Sequence, residues 1–265
     1  MKEIGPDEIK RIQLDMLKDL HTFCMEHDIN YSLAYGTLLG AVRHQGYIPW
    51  DDDVDLMMPR TDYDRFVKTY GNKTYRIVDM SVNPDYGLSY AKVEDTRTIM
   101  DENVEGGSAY GVYIDVFPVD NVPDGMSERK IFYRKKSVLN ILFNLKTVRV
   151  AKGRSLLKNL VLLMSHMLLS FVSRQYLAHR MSEMAIRFQG EKTSFMGIVA
   201  PADSRIEEVI PSCFFDQYIE LPFEDVLVMS IKEFDKYLTA AYGDYMQLPP
   251  VEKRISHHVF KAYWK

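Results

Sequence analysis

Along residues 7–28, Ile9, Ile12, Met16, Leu20, Phe23 and Cys24 recur at three- and four-residue steps. This is the apolar stripe of an amphipathic helix, with Asp7 as its expected cap and Asp28 and Asn30 ending it. Residues 31–35 predict a short buried strand, and Gly36 then turns the chain into a helical stretch over 37–43. After Pro49 comes a run of aspartates and an apolar strand ending at Pro59. Residues 61–70 predict a helix capped by Thr61 or Asp62, with Tyr63, Phe66, Val67 and Tyr70 facing the core. Strands are expected over 75–79, 88–93 and 112–118, with a turn at 95–98 and a loop at Gly106-Gly107.

Beyond a Pro- and Gly-containing loop at 121–125, the pattern becomes helical over 127–190, interrupted near Gly153. Within it, residues 159–173 carry no formal charge and are rich in Leu, Met and Val. A bilayer-spanning helix takes about 20 residues, so this stretch is too short to cross, and Ser165 and His166 at its centre argue the same way. Two expectations remain: a buried helix of an all-α subdomain, or a basic, apolar face lying on an anionic membrane. From residue 193 short strands return at 195–200, 217–221 and 225–229. Ser230-Ile-Lys-Glu233 then has capping-box spacing ahead of a helix with Phe234, Tyr237, Leu238 and Ala241 on its apolar stripe.

Composition adds little to this until charge is mapped. The 265 residues are 46% hydrophobic and 26% charged, enough to bury a substantial core, and net charge is −4. Yet residues 129–182 hold twelve of the 33 Lys and Arg and no acid, leaving 21 bases against 37 acids elsewhere. A cationic block on an acidic protein suits an anionic partner surface. Cys24 and Cys213 have no metal-type spacing and read as buried thiols of a reducing compartment, with one disulfide as the alternative. The first residues, MKEIGPDEIKRIQ, have no apolar run of the secretory kind, so the expected location is cytoplasmic, peripheral on the inner membrane face if the basic block docks there.

The candidate chemistry lies between Tyr35 and Pro59. Asp53 and Asp55 flank Val54 ahead of Leu56-Met57-Met58. On a strand they would share one face, roughly 6–7 Å apart, and would repel unless a cation lay between them. Hard carboxylate oxygens suit Mg²⁺, with Mn²⁺ as the alternative. Asp51 would fall on the same face and Asp52 on the other. Asp115, a lone charge between Ile114 and Val116, needs a partner inside an apolar strand, and a metal shared with Asp53 and Asp55 would supply one. Gly36 and Thr37, at a helix start, offer backbone N–H groups and a hydroxyl to a phosphate. Arg43 is placed to grip a phosphate, His44 to move a proton, and Lys92 either to neutralise a pyrophosphate or to lie on the surface. Adjacent His257 and His258 do not read as a metal pair.

YGTLLGAVRHQGYIPWDDDVDL at 35–56 resembles the signature of the LicD family of phosphocholine transferases, which is itself similar to the catalytic part of fukutin-type phosphoribitol transferases. GVYIDVFPVD at 111–120 and YGDYMQLPP at 242–250 resemble the family's later blocks. The resemblance covers roughly 7–120 and 215–258. It implies an α+β fold, a nucleotidyltransferase-like mixed sheet flanked by helices; the helical block 127–190 lies outside the resemblance and reads as an inserted helical subdomain from its own pattern. The corresponding division is 1–125 for a catalytic core, 126–192 for a basic helical insertion and 193–265 for a part completing the core. Its Gly-Thr turn, aspartate pair and third aspartate fall at Gly36-Thr37, Asp53/Asp55 and Asp115. The implied reaction is metal-dependent transfer of phosphocholine from CDP-choline to a sugar hydroxyl of a lipopolysaccharide or teichoic acid precursor, often lipid-linked. The aspartates would orient or deprotonate the acceptor, Asp115 by position. Nucleotidyl transfer, glycosyl transfer and a non-catalytic membrane-bound module are the alternatives, and nucleic acid is not an expected partner.

Overall fold

The computed structural model describes residues 1–83, 86–101, 110–148, 155–201, 205–255 and 261–265. Gly106-Gly107, Gly153, Arg149, Arg154, His257 and His258 lie outside them. A short strand β1 (Lys2–Ile4) precedes α1 (Pro6–Glu26), whose cap position is Gly5 rather than Asp7. Asp7 and Glu8 instead sit in its first turn, where negative charge complements the helix dipole. The stripe read from sequence is buried at Ile9, Ile12, Met16, Leu20 and Cys24, and Gln13 and Leu17 join it.

The chain then makes β2 (Ser32–Leu33), α2 (Tyr35–His44) and β3 (Asp55–Pro59), which runs straight into α3 (Arg60–Thr69). Pro59 stands at the α3 cap position without a side-chain hydrogen bond, so neither Thr61 nor Asp62 caps it. The helix starts earlier than its polar residues suggest because Arg60, its first residue, is anchored to the neighbouring strand. β4 (Tyr75–Val78), β5 (Ala91–Asp95), β6 (Thr98–Asp101) and β7 (Tyr113–Asn121) follow. The principal sheet has the order β2-β3-β7-β5-β4. β3 and β7 are parallel and the other pairs antiparallel, so the sheet is mixed. β7 is its spine: Ile114, Val116 and Val119 are fully buried against Leu17 and Leu20 of α1, Leu38 of α2 and Leu56 of β3 in one continuous core.

Three helices come next, α4 (Met126–Thr147), α5 (Leu156–Leu168) and α6 (Arg174–Ala185). α4 and α6 close on their own cluster of Phe143, Leu177, Ala178 and Met181. The chain returns through β8 (Phe195–Gly197), paired with the far end of β7, and β9 (Ile210–Pro211). A hairpin of β10 (Tyr218–Phe223) and β11 (Val226–Ile231) leads to α7 (Phe234–Tyr242). Finally β12 (Lys261–Trp264) lies between β1 and β6. The architecture is α+β, with helices on a mixed sheet.

Local sequence rules fail at three points. Ser230 does not open a capping box: it is a fully buried strand residue, and the next N–H, of Ile231, donates to Ser32 Oγ at 3.0 Å. Pairing with the sheet outweighs capping there. Cys24 is buried and burial pushes its thiol up, but Cys213 is exposed; both are free. The apolar helix α5 is not buried either. Leu162 alone among its residues is buried, and its other leucines and its methionines face outward.

Candidate active site

The site is built where α2 meets the beginnings of β3 and β7. Ala34 N–H donates to Asp55 O at 2.9 Å, and Asp55 N–H donates to Thr37 Oγ1 at 2.9 Å. The first turn of α2 and the first residue of β3 are thereby locked together. Thr37 is buried and its hydroxyl positions the aspartate strand, a role its phosphate-facing sequence position does not reveal. Tyr35, which opens α2, has φ 45°, in the left-handed region that non-glycine residues rarely adopt. Its ring stacks edge-on against Phe117 of β7 at 5.5 Å. At Gly36 a Cβ would come within 2.5 Å of Asp51 Oδ2, so glycine is needed for the carboxylate to lie against the helix start.

Asp55 and Asp115 are register partners on the two parallel strands, side by side on one face of the sheet. Asp115 N–H donates to Val54 O at 3.0 Å. Asp51, Asp52 and Asp53 precede β3 in irregular backbone, and one carboxylate oxygen from each lies within 4.8 Å of the others. This corrects two expectations. Asp53 is not on the strand with Asp55, and Asp52 does not point away, because strand alternation begins only at Asp55. The carboxylates are nonetheless electrostatic neighbours. Burial, then the charges of Asp53, Asp115 and Asp51, push the Asp55 carboxyl well above the usual range, against the pull of Lys92.

Lys92 is no surface lysine. It is 3% exposed, pairs with Asp115 across the β5–β7 register at 2.7 Å and lies 3.2 Å from the Tyr113 ring centroid. Lys92 thus stands beside a cluster of carboxylates in which Asp51, Asp53, Asp55 and Asp115 act on one another. The donor set is all hard oxygen, which is what Mg²⁺ and Mn²⁺ take and what soft metals do not. The residues present therefore fit a divalent cation.

Arg43 and His44 end α2. Arg43 Nη1 donates to the carbonyls of Tyr245 at 2.7 Å and Gln247 at 3.5 Å, tying the 242–250 segment to the site. Burial, then the nearby Arg254, lowers the Arg43 pKa, and Arg254 lies over the Trp50 ring. His44 meets Trp50 edge-on; burial, then Arg43, holds its imidazole below the ordinary histidine pKa, favouring the neutral form that accepts a proton.

Two contributors escape sequence reasoning. Gln13 of α1, buried on the apolar stripe, donates to Asp52 O and to Tyr113 O, both at 3.2 Å, bridging the acidic loop to β7. A polar residue within an otherwise apolar stripe was its only signal. Tyr242, at the end of α7, is 44% exposed, yet its phenol is pushed up by burial of the hydroxyl, then by the charge of Asp55. Its place at the head of the 242–250 block was its one signal, and the packing of α7 through Tyr237 and Leu238 sets a residue 187 positions away beside Asp55.

A mixed sheet with carboxylates early on two parallel strands, beside a glycine-led helix start, defines a nucleotidyltransferase-type domain. The family model described as "LicD/FKTN/FKRP, nucleotidyltransferase domain" matches residues 28–154, which span α2, the aspartates and β7. The chain belongs to the LicD family: over 273 aligned positions it is 31% identical to the lipopolysaccharide cholinephosphotransferase LicD of Haemophilus influenzae, covering 99% of each chain. Shorter stretches match uncharacterized proteins of Rickettsia typhi and Rickettsia prowazekii. The first is 40% identical over 81 residues, 29% of this chain and 26% of the relative. The second is 49% identical over 47 residues, 18% of each.

Proposed function

We propose that the chain transfers phosphocholine from CDP-choline to a sugar hydroxyl of a cell-surface glycan precursor, lipopolysaccharide or teichoic acid. The observation that carries this is the convergence of Asp51, Asp53, Asp55 and Asp115 beside the start of α2, in a chain aligned end to end with a lipopolysaccharide cholinephosphotransferase. A Mg²⁺ or Mn²⁺ ion held by these four aspartates would supply the positive charge that the donor's diphosphate and the departing CMP require. Gly36, in the first turn of α2, offers a helix-start N–H to a donor phosphate, and Thr37 holds Asp55 in place behind it. Arg43 adds fixed positive charge at the other end of α2. Asp115, steadied by Lys92, orients the acceptor hydroxyl, and neutral His44 takes up the proton. The reaction takes place on the cytoplasmic side, where nucleotide-activated donors are available.

The test is product analysis with CDP-choline labelled in both phosphates, with Mg²⁺ and with EDTA. The expected products are CMP and an acceptor carrying one labelled phosphorus, formed only with the metal. Transfer of CMP itself to the acceptor would make the chain a nucleotidyltransferase, and turnover of UDP-sugars in its place would make it a glycosyltransferase.

The close approach at Gly36 gives a further expectation. Gly36→Ala drives a methyl group into the Asp51 carboxylate, and a displacement of about 1 Å at such a site costs on the order of 10²-fold in rate. Steady-state kinetics should show that loss while the melting temperature stays near wild type. Unchanged kcat would mean that Asp51 lies outside the machinery.

A further inference from the structure

The helix α5 (Leu156–Leu168) is amphipathic the wrong way round for a soluble protein. Its protein-facing side carries Asn159, Leu162, Ser165 and His166, at helical spacing and half-buried or buried. Its outward side carries Leu157, Leu160, Val161, Met164 and Met167, each at least half exposed, and Phe171 just beyond is 85% exposed. Apolar side chains in water forfeit the burial energy that normally orients a helix. A contiguous outward stripe of this kind marks a contact surface.

The surroundings decide what the contact is. Lys158 on α5 and Lys130, Arg134 and Lys135 on α4 are exposed, and residues 129–182 contain no acid at all. Where α5 ends, Lys146, His166 and Arg174 line a cleft of about 540 Å³ together with Ser170 and Phe171. Two copies of this face would bring like charges together, so self-association is opposed. An anionic lipid surface supplies hydrocarbon for the stripe and phosphates for the cations. α5 is 13 residues long, about 20 Å, against a hydrocarbon core of about 30 Å. Among the described residues no helix is long and apolar enough to cross a membrane. The geometry suits a helix lying in the interface plane.

We propose that α5, with the cations flanking it, docks the chain onto an anionic phospholipid bilayer, seating the apolar stripe at the head-group boundary. Lys136 takes no part: it is 2% exposed and donates to the Pro201 carbonyl at 2.7 Å. Docking is independent of the transfer chemistry, so its failure would leave the enzymatic reading standing, and the reverse also holds.

Sedimentation of the full chain with vesicles of phosphatidylcholine alone, or with 30 mol% phosphatidylglycerol (a fraction of about one third, chosen to give a strongly anionic surface), tests it. The wild type is expected to pellet with the anionic vesicles and to be released by salt. The triple variant Leu160→Ser, Met164→Ser, Phe171→Ser, altered only at exposed positions, should lose binding about tenfold or more while its circular dichroism spectrum is retained. Lys130→Gln with Lys135→Gln and Lys158→Gln should weaken binding and flatten its salt dependence. A wild type that stays in the supernatant overturns the proposal, as does a triple variant that binds as well as wild type. So does a triple variant that dissociates a dimer with vesicle binding unchanged, since the stripe would then be an interface between copies.

Discussion

Asp55→Asn is expected to lower kcat by roughly 10³-fold and, in the same preparation, to leave the metal-free fold as stable as wild type or more so. Asp55 stands against Asp53, Asp115 and Asp51, with burial adding to the cost of its charge. An amide of the same shape keeps the packing and leaves the Asp55 backbone N–H free to donate to Thr37, but removes one of the like charges. Relief of about 1 kcal/mol corresponds to a rise of roughly 2–4 °C in melting temperature measured in EDTA. Mg²⁺ should raise the wild-type melting temperature and leave the variant unmoved. A site that holds charge for a ligand sacrifices stability to do so, and this pairing of outcomes is its signature. Normal turnover would remove Asp55 from the chemistry, and a large fall in melting temperature would recast it as a purely structural residue.

The second large effect lies at the opposite end of the same strands. Arg60, at the junction of β3 and α3, donates from Nε and Nη2 to the two carboxylate oxygens of Asp120 on β7, at 2.7 and 2.9 Å. Asp120 is 1% exposed and Arg60 9%. Removing Asp120 leaves the buried Arg60 guanidinium with only the longer contact to half-buried Asp64, 3.5 Å from Nη1, which places the cost at the lower end of about 3–5 kcal/mol. Asp120→Ala should therefore lower the melting temperature by roughly 10 °C. The apolar double variant Arg60→Met, Asp120→Leu should recover most of that, since two desolvated charges are replaced together. Calorimetry on the three variants checks this. A single variant that melts within a degree or two of wild type would mean that water reaches the pair.

These residues show how unevenly the chain discloses itself. The stripe of α1, the helical stretch after Gly36 and the apolar strand holding Asp115 were legible because each depends on side-chain periodicity within ten or twenty residues. The starts of elements were less so. Thr61 and Asp62 looked like caps, and the true start one residue earlier reflects an ion pair with residue 120. Asp52 was placed on the wrong face because a strand was assumed to begin before Asp55. Residues 159–173 left two readings open, a buried helix and a face on a membrane, because composition says nothing about which side of a helix meets protein.

By itself the sequence determined the glycine turn followed by aspartates and the cationic stretch without acids, since both are written in neighbouring residues, and its resemblance to the LicD family implied the α+β class. Tertiary structure decided that Asp115 stands beside Asp55 with Lys92 buried against it, that Gln13 ties the acidic loop to β7, and that the leucines of α5 face away from the core. The physical reason is range. Periodicity and capping act over a few residues, whereas strand register and the burial of a charge are settled by partners tens of residues away, and only the folded chain brings those partners together.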